Sequence, residues 1–318
     1  MKGYNLDKAK PIRVRLLLNH QQQGSVFETV ALRLTKYLGR WNVNAELGSS
    51  AQPAADIHHL FCLDVAFRDY PDTLASRSTL FVADVKTSDH LQVLKDNAAK
   101  ASLAICVSRA TVEQLVKQGL PREKLCSITL GHEDGVVGRR IVLGITSQLR
   151  ADGAKREDIL LEVAASMRLD AFEFHIIGWG WERVISRLEA AGASVRYFKS
   201  TNKPIEDYNV NLERVPHFDY YLYFGFDEGS MGYIDALCAG LPTIVTPQGY
   251  HVDIENGITH SIINSRELHG VLTKLSEKRQ KRLACASDLT WAEYARKHAI
   301  VWRALLEGRA GGCPLAAQ

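Results

Sequence analysis

Short apolar runs alternate with amphipathic stretches along nearly the whole chain. In the first half the runs are Ile12–Leu18, Asp56–Phe61, Thr79–Ala83, Leu103–Val107 and Leu125–Leu130. None alternates strictly between apolar and polar residues, the mark of strands buried on both faces in a parallel sheet. Between them, Val26–Tyr37 and Arg109–Gln118 carry apolar residues at helical spacing. In the second half the runs are Ile141–Thr146, Phe172–Ile177, Ser194–Phe198, Tyr220–Phe224, Thr243–Thr246 and Ser261–Ile263. Helices are expected at about 157–168, 181–191, 230–239 and 266–275, with a last one over Trp291–Leu306. Strand–helix alternation carried this far predicts an α/β protein with parallel sheets covered by helices on both faces.

The pattern breaks at Gly131–Arg140, where glycines and charges interrupt the apolar runs. The 318 residues are enough for two domains. The predicted division is 1–137, 138–290, and a terminal helix with a frayed tail over 291–318. Open parallel sheets bind ligands beyond the carboxyl ends of their strands, so the turns after the strands are where chemistry is expected.

Composition narrows the class. An apolar fraction of 46% is sufficient to bury a core and excludes a disordered chain. Thirty-nine Lys and Arg against 36 Asp and Glu give a net charge of +3, too balanced for a dedicated nucleic-acid binder. The six cysteines, Cys62, Cys106, Cys126, Cys238, Cys285 and Cys313, form no close pair and read as small buried hydrophobes. No signal segment and no run of roughly 20 apolar residues is present, which leads to an expected reducing, cytoplasmic home. The basic run Lys274–Arg282 reads as a solvated helical face or as a peripheral contact with the anionic inner face of a membrane.

The most informative segment is Phe224–Pro247, FGFDEGSMGYIDALCAGLPTIVTP. A strand ends, a glycine-bearing turn carries Asp227 and Glu228, and a helix opens near Ser230, with backbone N–H groups suited to an anion. Asp227 and Asp235 have seven residues between them and cannot share one helical stripe, so one belongs to the loop and the other to the helix. Two separated carboxylates suit a ligand with two ends, such as a nucleotide sugar. A plainer role for Asp227 is to cap the helix.

This segment resembles the acidic E-x7-E motif and the EAMACGxPVI run of the retaining GT-B glycosyltransferases. Other segments are similar in the same order: Ala104–Asp134 with Ser108 and Gly131, the helix start KREDILLEV at Lys155–Val163, HIIGWG at His175–Gly180, the loop Gln248–Gly257, and the helix from Trp291. Most of the chain after Lys100 carries the likeness. The resemblance implies two Rossmann-like domains facing a cleft, with the terminal helix packing back on the N-terminal, acceptor-side domain.

The resemblance also implies a site. Lys155 and Arg150, with Arg156 in reserve, would bind the donor diphosphate; Gly178 and Gly180 would allow close approach of the nucleotide, or form a tight turn. The first acid, for the donor sugar, is Asp227 by spacing or Glu228 by its Glu-Gly dipeptide; Asp235 would hold the ribose. Ser230, Met231 and Gly232 would present the helix start to the diphosphate, and Gly24 and Ser25 match the loop facing donor and acceptor. His58 and His59 lie in a segment like the family's D-x-x-H, whereas Ala83 and Asp84 stand where the family often has a histidine.

The implied activity is metal-independent, retaining transfer of a sugar from a UDP- or GDP-linked donor to a saccharide, lipid-linked or other small acceptor in glycan biosynthesis. No cofactor and no nucleic acid is implied. A GT-B-type sugar-nucleotide epimerase or hydrolase, or a non-catalytic nucleotide-sugar-binding protein, is the alternative.

Overall fold

The computed structural model of the chain describes residues 6, 9–19, 22–61, 77–83, 88–201, 203–308 and 313–315. Cys62 and Asp84 lie outside them. The chain divides into two compact units, residues 1–137 with 286–318, and residues 138–285.

Unit 1 contains β1 (Ile12–Leu17), β2 (Val43–Gly48), β3 (Ile57–Leu60), β4 (Ser78–Val82), β5 (Leu103–Cys106) and β6 (Leu125–Ser127). They form one parallel sheet in the order β2-β1-β3-β4-β5-β6. Its helices are α1 (Val26–Leu38), α2 (Ser88–Lys100), α3 (Arg109–Lys117) and α9 (Trp291–Leu306). Unit 2 contains β7 (Ile141–Thr146), β8 (Phe172–Gly178), β9 (Ser194–Lys199), β10 (Tyr220–Tyr223), β11 (Thr243–Val245) and β12 (His260–Ser261). These are parallel in the order β12-β11-β10-β7-β8-β9. Its helices are α4 (Asp158–Ser166), α5 (Glu182–Ala190), α6 (Pro204–Arg214), α7 (Met231–Cys238) and α8 (Ser265–Ala286). Both sheets are Rossmann-like, so the α/β class read from the apolar runs holds.

Four elements differ from the sequence reading. β2 is missing from it because β2 is an edge strand with a mostly half-exposed face, and VNAELG lacks an apolar run. The polar α2 is also missing, as is α6, which buries none of its residues and so shows no apolar stripe. α8 runs on to Ala286, beyond its last buried residue, Leu275.

The cysteine reading is corrected. Cys126 of β6 and Cys313 form a disulfide across 187 residues of sequence, and Cys238 and Cys285 are exposed. A separation of this length leaves no spacing signal, and the pairing removes the argument for a reducing compartment from cysteine usage. Among the described residues no helix is long and apolar enough to cross a membrane.

α9 packs back on the N-terminal sheet, as expected. Thr290 caps it by accepting from the Glu293 N–H (3.1 Å), and Gly131 leaves room for its first turn, since a Cβ there would lie 2.4 Å from Trp291 N. The helix buries Tyr294, Ala295, Ala299, Val301 and Trp302, and each large apolar side chain contributes about 1.5–3 kcal/mol before entropy is counted. Arg303, also buried, donates to the carbonyls of Lys10, Trp41 and Asn42 at 2.7–3.1 Å.

Beneath α9 two imidazoles face each other. His59 of β3 and His298 of α9 are fully buried with ring centroids 5.4 Å apart. His298 donates from Nδ1 to the Tyr294 carbonyl (2.9 Å); His59 Nδ1 shares a hydrogen bond with Thr79 (2.8 Å), which also accepts from Trp302 Nε1. Burial pushes His298 down to about 4, and burial and then His298 hold His59 well below its ordinary value. Between the unfolded value of about 6.5 and the folded ones, only the unfolded chain binds these protons. The stability held by the pair is therefore complete above that value. It declines by about 1.4 kcal/mol per histidine per pH unit as the pH falls below it. Urea unfolding at pH 7 and about pH 5.5 should show this loss, and His298→Gln should remove about half of it. An equal loss in the variant would contradict this account.

Candidate functional site

In unit 2 the chain runs outward from β7 through β8 to β9, then returns to place β10 on the other side of β7. The order reverses between β7 and β10, and the loops leaving their carboxyl ends part there, the usual place for a ligand in an open parallel sheet. Lys155 lies in the loop after β7 and Asp227 in the loop after β10. The Phe226 N–H donates to the Ala154 carbonyl (2.8 Å) and ties the two loops together.

Lys155, Tyr223 and Asp227 close a triangle. The Lys155 ammonium donates to the Tyr223 hydroxyl (2.6 Å) and pairs with Asp227, and the same hydroxyl donates to the other oxygen of Asp227. The ammonium also stands 5.0 Å from the centre of the Tyr223 ring. Lys155 and Asp227 keep only 15% and 33% of their side-chain surface exposed, so this is not an ordinary surface pair. Burial pushes the Asp227 carboxyl up, but the ammonium and the phenol outweigh it and hold the group below its ordinary value. Burial first, and then Asp227, raises the Tyr223 phenol, so its proton stays in place. His251, fully buried, packs with its ring perpendicular to that of Tyr223, the centroids 5.5 Å apart, and donates from Nδ1 to the Thr246 carbonyl (3.1 Å).

α7 begins beside this triangle. Its cap position is Ser230, so Asp227 does not cap it. The Ser230 hydroxyl shares a hydrogen bond with Tyr221 (2.8 Å), which shares another with Thr146 at the end of β7 (2.9 Å). Gly232 fits against that pair: a Cβ there would lie 1.9 Å from Thr146 Oγ1. Met231 is exposed. One turn on, Asp235 accepts from the Tyr208 hydroxyl of α6 (2.9 Å), while its second oxygen is buried without a partner among the described residues.

The other expected residues fall as follows. Glu228 is exposed on the same loop and its side chain has no partner among the described residues, in contrast to Asp227. Arg150 is likewise exposed and unpaired. Arg156 is already engaged, donating to the Ile263 carbonyl (2.8 Å) and stacking 4.0 Å from the centre of the Phe226 ring. Gly178 ends β8 at φ +148, and a Cβ would meet the Ser147 carbonyl at 2.0 Å; Gly180 turns at φ +87 beside Leu149.

Gly24 and Ser25 belong to unit 1, whose own strand order reverses between β1 and β3. They follow β1; Ser25 caps α1 by accepting from the Phe27 N–H (3.2 Å), and Gln22 bridges to the Phe61 carbonyl beyond β3 (3.0 Å). His59 is a core residue of unit 1. A cavity of about 1120 Å³ also lies in unit 1, lined by Arg109, Cys126, Lys297, Cys313 and Leu315 among others, and shares no residue with the Lys155 cluster.

Sequence reasoning missed Tyr223, Tyr208 and His251. Tyr221 and Tyr223 stand two apart at a strand end just before an acidic loop, which was the available signal; Tyr208 sits on a helix without an apolar stripe.

No protein-family model and no curated protein matches the sequence. Among solved structures the chain is similar to Anabaena HepE in complex with UDP-glucose (13% identity, 94% of this chain and 98% of that one, TM-score 0.32). It is also similar to the lipopolysaccharide outer core galactosyltransferase WaaB in its apo form (12%, 94% and 100%, 0.36). A third is a glycosyltransferase from Rickettsia africae (11%, 94% and 100%, 0.37). Likeness of this degree bears on neither substrate nor mechanism, and the reading of the site rests on its own geometry.

The fit of α7 against β7 is testable. Gly232→Ala forces the helix start away from Thr146 and should cost about 1–3 kcal/mol, seen as a melting temperature lower by several degrees. An unchanged melting temperature would mean that α7 does not depend on this contact.

Proposed function

We propose that the chain is a retaining, metal-independent glycosyltransferase of the GT-B kind. It takes a sugar from a UDP- or GDP-linked donor and passes it to a saccharide or lipid-linked acceptor. The observation that carries this reading is the Lys155–Tyr223–Asp227 cluster at the point where the strand order of unit 2 reverses, beside the start of α7. It is supported by the ordered sequence likeness set out above.

In this reading Lys155 and the unpaired Arg150 hold the diphosphate, and the N–H groups at Ser230–Gly232 add to the positive field. These groups stabilise the charge that develops as the diphosphate leaves, so protein cations do the work that a metal does elsewhere. Asp227 takes hydroxyls of the donor sugar. Asp235, with one buried oxygen lacking a partner, takes the ribose hydroxyls. Retention follows from attack on the face the diphosphate leaves, the phosphate taking the acceptor's proton. Gly24 and Ser25 bind the donor from the loop that faces both donor and acceptor. Lys274–Arg282 on α8 offers cations for contact with an anionic membrane face.

Titration calorimetry with UDP and GDP tests the donor site. Lys155→Ala should weaken the tighter of the two by about 10- to 100-fold, the worth of a hydrogen bond to a charged group. Unchanged affinity would place the phosphates elsewhere. Binding without transfer or slow hydrolysis of any nucleotide sugar would favour the non-catalytic alternative.

A further inference from the structure

We infer that Tyr223 is a positioning residue that lets Lys155 pass from Asp227 to the donor phosphate without leaving the carboxylate unpaired. This rests on the donor-site reading above and adds a residue that neither the acidic motif nor the basic pair contains.

An ammonium has three protons to donate, and in this chain one goes to the Tyr223 oxygen and one to Asp227. One proton is left over, but an anionic ligand and Asp227 still share a single positive charge, and a phosphate that draws the ammonium towards itself draws it away from the carboxylate. Asp227 is only 33% exposed, so stripping it of its counter-ion in place is costly unless another donor remains. One does: the Tyr223 hydroxyl donates to one carboxylate oxygen.

Tyr223 is suited to this part. It is the last residue of β10, 2% exposed, with its ring perpendicular to the buried His251, so its hydroxyl is held by a strand and not by a loop. The phenol keeps its proton on the side of Asp227 and offers a lone pair to the ammonium. It can thus hold the carboxylate and steer the lysine at once. No proton changes owner: Lys155 stays an ammonium, Tyr223 a phenol and Asp227 a carboxylate. Only the partner of one N–H changes.

Tyr223→Phe removes the hydroxyl and keeps the ring against His251 and the ammonium. Lys155 is then tied more closely to Asp227, and drawing it away costs more. UDP and GDP affinity, read by calorimetry, should fall about tenfold. The same substitution in an Asp227→Asn chain should have little effect, because no carboxylate is left to protect. A merely structural role would give the same loss in both backgrounds, and that result overturns the inference, as does full affinity in Tyr223→Phe alone. Lys155→Ala separates the two levels. If it weakens binding and Tyr223→Phe does not, only the role of Tyr223 falls; if it leaves binding intact, the donor-site reading falls as well. Melting temperatures of all four variants show whether each is folded.

Discussion

The contact that organises unit 2 is the ion pair between Lys155 and Asp227, bridged by the Tyr223 phenol. With the Phe226–Ala154 backbone bond it joins loops that leave two neighbouring strands in parallel, where the strand order reverses. Closing that gap with charge has consequences on both sides. The loop after β10 is held so that α7 starts beside Thr146, and Gly232 is what permits that approach. On the loop after β7, Arg150 has no side-chain partner among the described residues, while Arg156 is occupied by Phe226 and Ile263.

Much of this architecture can be read from the chain because buried parallel strands advertise themselves. Phe172–Gly178 and Ile141–Thr146 are nearly continuous apolar runs, and they are the inner strands of their sheet. The elements that escaped are those whose burial is slight or whose sequence is mostly polar: the edge strand β2, the helices α2 and α6, and the last turns of α8. Their pattern is faint because solvent, and not the core, faces most of their side chains. Cys126 and Cys313 escaped for a different reason, since nothing local distinguishes a cysteine bonded across 187 residues from a free one.

The candidate site was legible where its residues are polar and lie in turns, as Lys155 and Asp227 do, or on the helix that follows, as Asp235 does. Spacing alone left Asp227 and Glu228 open as the first acid; in the folded chain Asp227 is the one that meets Lys155, and Glu228 points to solvent. Tyr223 was hidden because a tyrosine in YYLY reads as strand packing. Its chemistry depends on a lysine 68 residues away in sequence, and only the pairing of β7 with β10 brings the two together.

The central claim is that the Lys155–Asp227 pair marks the seat of a diphosphate. A crystal structure of the chain with UDP or GDP tests it most directly. The account predicts phosphate oxygens within hydrogen-bond distance of Lys155 Nζ at the mouth of β7 and β10, with the Lys155–Asp227 contact opened and Asp227 still bonded to Tyr223. Nucleotide bound away from these loops, or bound there with the ion pair intact and Lys155 unused, would contradict it.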